Sequence, residues 1–338
     1  MAEQFIHKYI LEFGQPVSFY EGQGVFDVPS YAVSPIPFKG PESTKDPLQL
    51  DSYVDKLETD SAVRITGLNI SFDIDKSKEA GNPSTLVIYN ISDGTSKFLE
   101  QWQGKSPLLL LRAGYETDTE LPIIFQGEIE SYSEVFEGHT RKTTLQLKSG
   151  SSSIKEAYTV KSYRSGTSVE KIFEDLIADL KLPKGTIYYP RGNEVQFQVI
   201  NKPVIINTPT AEFLRRFSKD NGYKFWIEDG VVNVYPENYV LRAGEFIFDI
   251  NSSTNMIGSP VVTDGSPSVQ EKQAWNKSLI TVKTTLNGAY TLTSKVRVTS
   301  RFYNGIYEII GLKHVGTYEG SEWYSTLELK QVDGWEEA

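Results

Sequence analysis

The chain has 338 residues and carries 34 Lys and Arg against 44 Asp and Glu, a formal net charge of −10, so as a whole it repels nucleic acid and no basic run offsets that. It contains no cysteine, which excludes disulfides, thiol nucleophiles and zinc-thiolate sites and suits a reducing compartment. At 39 % hydrophobic and 23 % charged the composition is that of a folded chain with room for two or three cores. No run approaches the ~20 apolar residues of a bilayer span, and the opening Met1-Ala2-Glu3-Gln4-Phe5 has no basic stretch leading into an apolar one.

Tyr, Phe, Val, Ile and Thr, together with 26 Gly and 16 Pro, favour strands and turns. The first expected strand runs from Tyr9 to Phe19. After it comes a proline-rich arm, residues 20–60, with Pro29, Pro35, Pro37, Pro41 and Pro47. These forbid a regular ladder, and the arm is read as an extended segment with a short helix near Leu48 to Leu57. Loops of this length usually bind something. From Val63 the alternation Val63, Ile65, Leu68, Ile70, Phe72, Ile74 breaks once at Gly67, where a bulge would restore register. A strand from Leu86 to Ile91 is followed by a short helix with Phe98, Leu99 and Trp102 on one face, Thr95 as its N-cap and Gly104 as its stop. Strands at Pro107 to Ala113, Ile123 to Phe136 and Arg141 to Lys148 complete a barrel of about six strands.

Gly150-Ser151-Ser152-Ser153 marks a change of period. Ser168 is placed to cap a helix over Val169 to Leu180, whose Val169, Ile172, Phe173, Leu176, Ile177 and Leu180 share one face, with Pro183 beyond its end. A second helix begins around Thr208-Pro209, presents Phe213, Leu214 and Phe217, and stops at Asn221-Gly222. Asp229-Gly230 joins a hairpin of Tyr223 to Ile227 and Val231 to Tyr235. Strands return at Phe246 to Ile250, Met256 to Val262, Leu279 to Thr285, Tyr290 to Arg301 and Ile306 to His314. One phrase occurs twice: Phe136-Glu137-Gly138 before Thr143-Thr144-Leu145-Gln146-Leu147-Lys148, and Tyr318-Glu319-Gly320 before Ser325-Thr326-Leu327-Glu328-Leu329-Lys330. The two copies align without a gap and read as the same closing hairpin. The expected fold class is therefore β-rich α+β: a first β-barrel domain at 1–150, an α+β middle domain at 151–244, and a second, similar β-barrel domain at 245–338.

The chemistry-bearing residues are few. His7, His139 and His314 are the only histidines, and none stands at metal-ligand spacing. No nucleophile elbow, P-loop or dinucleotide fingerprint is present. Asp73 with Asp75, or Glu128 with Glu130, could share a strand face about 7 Å apart at a ~3.3 Å rise, a spacing suited to an inverting glycosidase pair. The wet face of an alternating strand produces such pairs by itself. Trp102, Trp226, Trp275 and Trp323, with many tyrosines, could form a sugar or nucleic-acid platform, but most stand at core-facing positions. No catalytic, cofactor-binding or metal residue is assigned, no cofactor is expected, and an enzyme is not expected.

Several phrases resemble those of phage baseplate hub proteins. In the last block these are Met256-Ile257-Gly258-Ser259-Pro260 with Thr263-Asp264-Gly265, Gly305-Ile306-Tyr307, Leu312-Lys313-His314-Val315-Gly316 and Glu322-Trp323-Tyr324-Ser325-Thr326. In the first they are Val87-Ile88-Tyr89-Asn90-Ile91-Ser92, Leu111-Arg112-Ala113-Gly114-Tyr115 and Ile124-Phe125-Gln126-Gly127-Glu128-Ile129. The stretch from Gly166-Thr167-Ser168 to Asp220-Asn221-Gly222-Tyr223 is similar to the family's α+β insert. The resemblance spans about Val63 to Val332, leaves the arm unplaced, and is shared with the hub halves of contractile injection spike proteins. It implies a homotrimer whose two barrels per chain form a pseudo-six-fold ring between a hexameric tail tube and a trimeric spike. The implied partners are further copies of the chain, the tail tube or distal tail ring, the central spike, and baseplate wedge and tape measure proteins. DNA is implied only in transit through a central channel, without stable membrane association. The implied location is the tail baseplate of a virion assembled in the host cytoplasm.

Overall fold

In the computed structural model, which describes residues 6–14, 52–56, 61–76, 84–101, 107–149, 151–182, 184–187, 199–236, 247–262 and 279–332, strands alternate between buried and outward residues wherever the sequence does. The first block comprises β1 (His7–Gly14), β2 (Ser52–Lys56), β3 (Ser61–Ile65), β4 (Ile70–Asp75), β5 (Ser84–Tyr89), helix α1 (Asp93–Gln101), β6 (Leu108–Tyr115), β7 (Ile123–Glu137) and β8 (Thr140–Lys148). The middle holds α2 (Ser151–Glu156), β9 (Tyr158–Tyr163), α3 (Val169–Leu180), β10 (Lys184–Ile187), β11 (Val204–Pro209), α4 (Thr210–Asp220), β12 (Tyr223–Glu228) and β13 (Val231–Pro236). The last block is β14 (Ile247–Asn251), β15 (Met256–Val262), β16 (Leu279–Thr285), β17 (Lys295–Thr299), β18 (Asn304–Thr317) and β19 (Trp323–Gln331). No helix among the described residues is long and apolar enough to cross a membrane.

The first and last blocks repeat one strand order. In the first, neighbours run β4-β5-β8-β7-β6-β1, continued by β3 and β2; in the last they run β15-β16-β19-β18-β17-β14. The outermost pairing differs in direction, since β1 is antiparallel to β6 while β14 is parallel to β17. A ladder between β18 and β4 merges both runs into one 14-stranded sheet. The β-rich character expected from composition is present; among the described residues no ladder closes either run into a barrel. The sheet nevertheless curls, because β3 and β4, at opposite ends of the first run, supply Val63, Ile65, Ile70 and Ile74 to one core with Leu11, Leu86, Leu111 and Leu145. Each such fully buried aliphatic side chain contributes ~1.5–3 kcal/mol relative to exposure.

Several local expectations change. Residues 52–56 form β2, which ladders onto β3 with Val54 opposite Val63, so backbone pairing with a free strand edge takes this stretch away from the expected helix. The remainder of the arm and Phe19 lie outside the described residues, as do Trp102, Gly104 and Trp275. Gly67, at φ +75, belongs to a turn and not a bulge: it carries the chain from β3, paired with β1, to β4, paired with β5. The cap of helix α1 is Ser92 and not Thr95: the helix begins at Asp93, and the Ser92 hydroxyl accepts the Thr95 backbone N–H at 3.1 Å, the ordinary job of an N-cap serine. The ribbon of β9 with β11 was not expected at all.

The middle block has its own core, with Ile172, Phe173 and Leu176 of α3 against Leu214 and Phe217 of α4 and Val232 and Val234 of β13. Helix α3 occupies its expected bounds. Ser168 accepts the Lys171 N–H at 3.2 Å, and Lys181 ends the helix in the left-handed conformation. Asp229 and Gly230, both at positive φ, make the two-residue turn of the β12–β13 hairpin. Replacing Ser168 by Ala orphans an N-terminal N–H, and we expect ~1 kcal/mol loss of stability, recovered by Ser168→Asp; urea unfolding of the three proteins checks this, and equal midpoints would contradict it.

Candidate assembly interface

The long strands β7 and β18 are built alike. Each carries one extra residue after a Glu-Ile pair: Glu128 and Ile129 face Lys148 and Leu147 before the ladder slips at Glu130, and Glu308 and Ile309 face Lys330 and Leu329 before it slips at Ile310. A bulge bends its strand and ends pairing on one side. Before the bulge, β7 pairs with β6 and β18 with β17; after it both leave those neighbours. The freed half of β18 takes β4, with Lys313 opposite Asp75, Val315 opposite Asp73 and Gly316 opposite Phe72.

Matching by this bulge corrects the gapless hairpin alignment. Glu137 pairs with Thr140 across a two-residue turn, Gly138-His139. In the other copy Gly316 pairs with Trp323 and the Thr317 N–H donates to the Glu322 carbonyl, so the turn runs from Tyr318 to Ser321. The return strands correspond residue for residue, but Glu137-Gly138 and Glu319-Gly320 occupy different places because the second turn is two residues longer.

The β18–β4 seam has an aromatic centre. Gly316 allows the rings of Phe72 and Trp323 to close over its backbone, where a Cβ would collide with both. Trp323 packs edge-on against Phe72 at 5.2 Å between centroids and stacks on His7 at 4.4 Å. Its indole N–H donates to the Gly114 carbonyl at 3.0 Å. Tyr318 meets Tyr9 edge-on at 5.0 Å. His314 is fully buried with Nδ1 2.9 Å from the Ser325 hydroxyl, and burial, reinforced by the Lys76 charge, holds its pKa well below the usual imidazole range.

Beside this seam a polar node joins all three blocks. Lys76, next to β4, places Nζ 2.6 Å from Asp229 Oδ2 in the β12–β13 turn. The Gln126 N–H of β7 donates to Asp229 Oδ1 at 3.1 Å, and the Gly230 N–H donates to the Ser149 hydroxyl at 2.7 Å. Glu228 accepts the Trp226 indole N–H at 3.3 Å and the Leu292 backbone N–H from the last block. Burial pushes the Glu228 carboxyl up to about 7 against the opposing pull of Lys76, with Asp229 adding to the rise.

The carboxylates singled out from sequence are not paired with each other. Asp73 binds Lys313 at 2.8 Å and Asp75 lies two residues along the same seam. Glu128 is buried, whereas Glu130 is the bulge residue and is held by Lys148 and Lys155 at 2.6 and 3.0 Å. Hydrogen bonds from those two lysines lower its pKa. Glu128 occupies the position of Glu308, which binds buried Lys295 at 2.8 Å. His7 and His314 belong to the seam and His139 to an exposed turn, and no group of three or more His, Asp or Glu able to hold a metal occurs among the described residues. Trp226 and Trp323 are core residues. The node was not foreseen: the Asp229-Gly230 turn was visible, but nothing in the sequence joins it to Lys76.

No family model and no curated protein sequence matches the chain. Solved structures do. A tail protein from Neisseria meningitidis has a TM-score of 0.55 at 12 % identity, over 79 % of this chain and 93 % of that one. The 43 kDa tail protein of prophage MuSo2 from Shewanella oneidensis has 0.54 at 10 %, over 79 % and 94 %. A chain of the Francisella PdpA-VgrG complex has 0.53 at 10 %, covering 98 % of this chain, which spans about half, 53 %, of that one. The chain thus shares its fold with these tail proteins and with that chain of the PdpA-VgrG complex.

Because folded Glu228 keeps a proton up to about pH 7 that the unfolded chain releases near 4.5, stability contributed by its neutral form is complete below that window and is lost as pH rises through it. Glu228→Gln should remove this slope while keeping both accepted hydrogen bonds. Urea midpoints at pH 5 and pH 8 test it: the variant should gain on the parent at pH 8, and parallel pH profiles would contradict it.

Proposed function

We propose that the chain is a structural, non-enzymatic hub of a phage tail baseplate that works as a homotrimer. The observation carrying this reading is the β18–β4 seam: two runs of the same strand order stand side by side in one sheet. Three copies would then supply six similar positions toward a six-fold tube and three-fold symmetry toward a spike, which leaves no contact of either partner unmatched. The curl that lets both ends of the first run share a core supports reading each run as a barrel around a central channel. The fold shared with a prophage tail protein and with a second tail protein supports the tail part of the assignment.

In this reading the partners are two further copies, the tail tube or distal tail ring, the central spike, and wedge and tape measure proteins. DNA passes through, and the net charge of −10 favours a lumen to which it does not adhere. The protein resides in the virion tail after assembly in the host cytoplasm. A second reading, the hub of a non-viral contractile injection particle, draws on the VgrG match along 98 % of the chain; purified particles or neighbouring genes separate the two.

Light scattering at increasing concentration, with end-on images of the largest species, tests the proposal. We expect about 114 kDa, three times the 38.0 kDa chain, and a ring with a central hole. A species of 38.0 kDa at every concentration, alone and with the spike, would overturn it.

A further inference from the structure

The two open edges of the chain match each other as β18 matches β4, and we propose that they close the ring: the freed half of β7 in one copy adds, antiparallel, to the outer edge of β15 in the next. This rests on the trimeric reading and names the contact that it needs. Past its bulge β7 pairs only with β8, and β15 pairs only with β16, among the described residues. Five of the large apolar residues left exposed lie on these two edges, namely Val135 and Phe136 on β7 and Ile257, Val261 and Val262 on β15. Exposed strand edges carrying apolar side chains are templates for another strand.

The register follows from the ladders inside the chain. Glu128 and Lys148 correspond to Glu308 and Lys330 through the common bulge, so Val135 stands where Val315 stands and Phe136 where Gly316 stands. On the other side Ile88 pairs with Thr143 and Thr284 with Ser325, which equates β5 with β16. Ile70 then equates with Met256, Ser71 with Ile257 and Asp73 with Val261. Within the chain Val315 faces Asp73 and Gly316 faces Phe72. Between copies Val135 therefore faces Val261, two exposed valines in place of a valine opposite an aspartate.

Phe136 faces the place of Phe72, and there β15 has an irregularity between Ile257 and Val261 that begins at Gly258. Gly258 has φ +77 and open space around its missing Cβ. The large and small partners have exchanged sides: a β4 phenylalanine over a β18 glycine inside the chain, a β7 phenylalanine over a β15 glycine between chains. The polar pair behind them is repeated too, since Glu134 accepts from the Thr143 hydroxyl at the place of His314 and Ser325.

Because the chain lacks cysteine, the double variant Val135→Cys/Val261→Cys gives a clean test. Opposed residues of antiparallel strands have Cα atoms about 4.5–5.5 Å apart, within disulfide reach. Mild oxidation with diamide should yield covalent dimers and trimers in non-reducing gels that return to monomer with dithiothreitol. Each single variant, and the out-of-register Val135→Cys/Ile257→Cys, should give at least tenfold less trimer. Phe136→Ser should raise the trimer dissociation constant at least tenfold while leaving the melting of the separate chain unchanged. A trimer by mass without the 135–261 link, including one in which another protein covers β15, would overturn this pairing and leave the ring reading standing. Monomer alone at every concentration, with the reduced variant folded as judged by circular dichroism, would overturn both.

Discussion

The architecture depends on a strand too long for its own unit. In an ordinary sheet a strand is paired along its length, because unpaired backbone N–H and C=O groups must be satisfied by something. The bulge at Ile310 divides β18 into a half that serves β17 and a half that must find another partner, and β4 is that partner. What would otherwise be two separate β-units thereby become neighbours in one sheet. The seam is set by backbone hydrogen bonds and then made specific by side chains that fit only there: Phe72 over Gly316, Trp323 reaching the Gly114 carbonyl, and Lys313 on Asp73. The same bulge in β7 leaves a second open edge among the described residues, the one proposed above to meet a neighbouring copy.

The polar node fixes the middle block against this seam. One hydrogen bond from the Gln126 N–H and the ion pair with Lys76 hold the Asp229 turn, and Glu228 adds a link to Leu292. Buried charges of this kind gain little net stability over well-packed apolar groups, but removing one partner leaves the other uncompensated. Their effect here is geometric: the Asp229-Gly230 turn holds the first block while the adjoining Glu228 holds the last, so the middle block has one orientation relative to the repeated units.

Much of this was legible in the sequence where the pattern is local. The alternation in β7, β8, β16 and β19, the Ser168 cap and the Asp229-Gly230 turn all follow from periodicity and turn chemistry. Gly67 misled because a break in alternation looks alike whether the strand bulges or ends, and only the change of ladder partner tells them apart. The β9–β11 ribbon was missed because its outward face carries Val160 and Ile205, so apolar and polar residues do not sort by face. The repeated Glu-Gly phrase pointed to the repeat of strand order through a false equivalence, as such residues recur in turns for conformational reasons. The Phe72 and Gly316 exchange was out of reach, since it has meaning only once two strands distant in sequence are known to be opposite each other.

The central claim is that β7 and β18 do the same work at alternate positions of one ring. Hydrogen exchange in the assembled protein tests it most directly, by comparing backbone amides of 133–137 with those of 313–317 and following 257–262 on dilution to the separate chain. The account predicts that both β7 and β18 segments exchange slowly in the assembly, and that 133–137 and 257–262 alone become fast on dissociation while 313–317 stays protected. Rapid exchange at 133–137 in an intact trimer would contradict it.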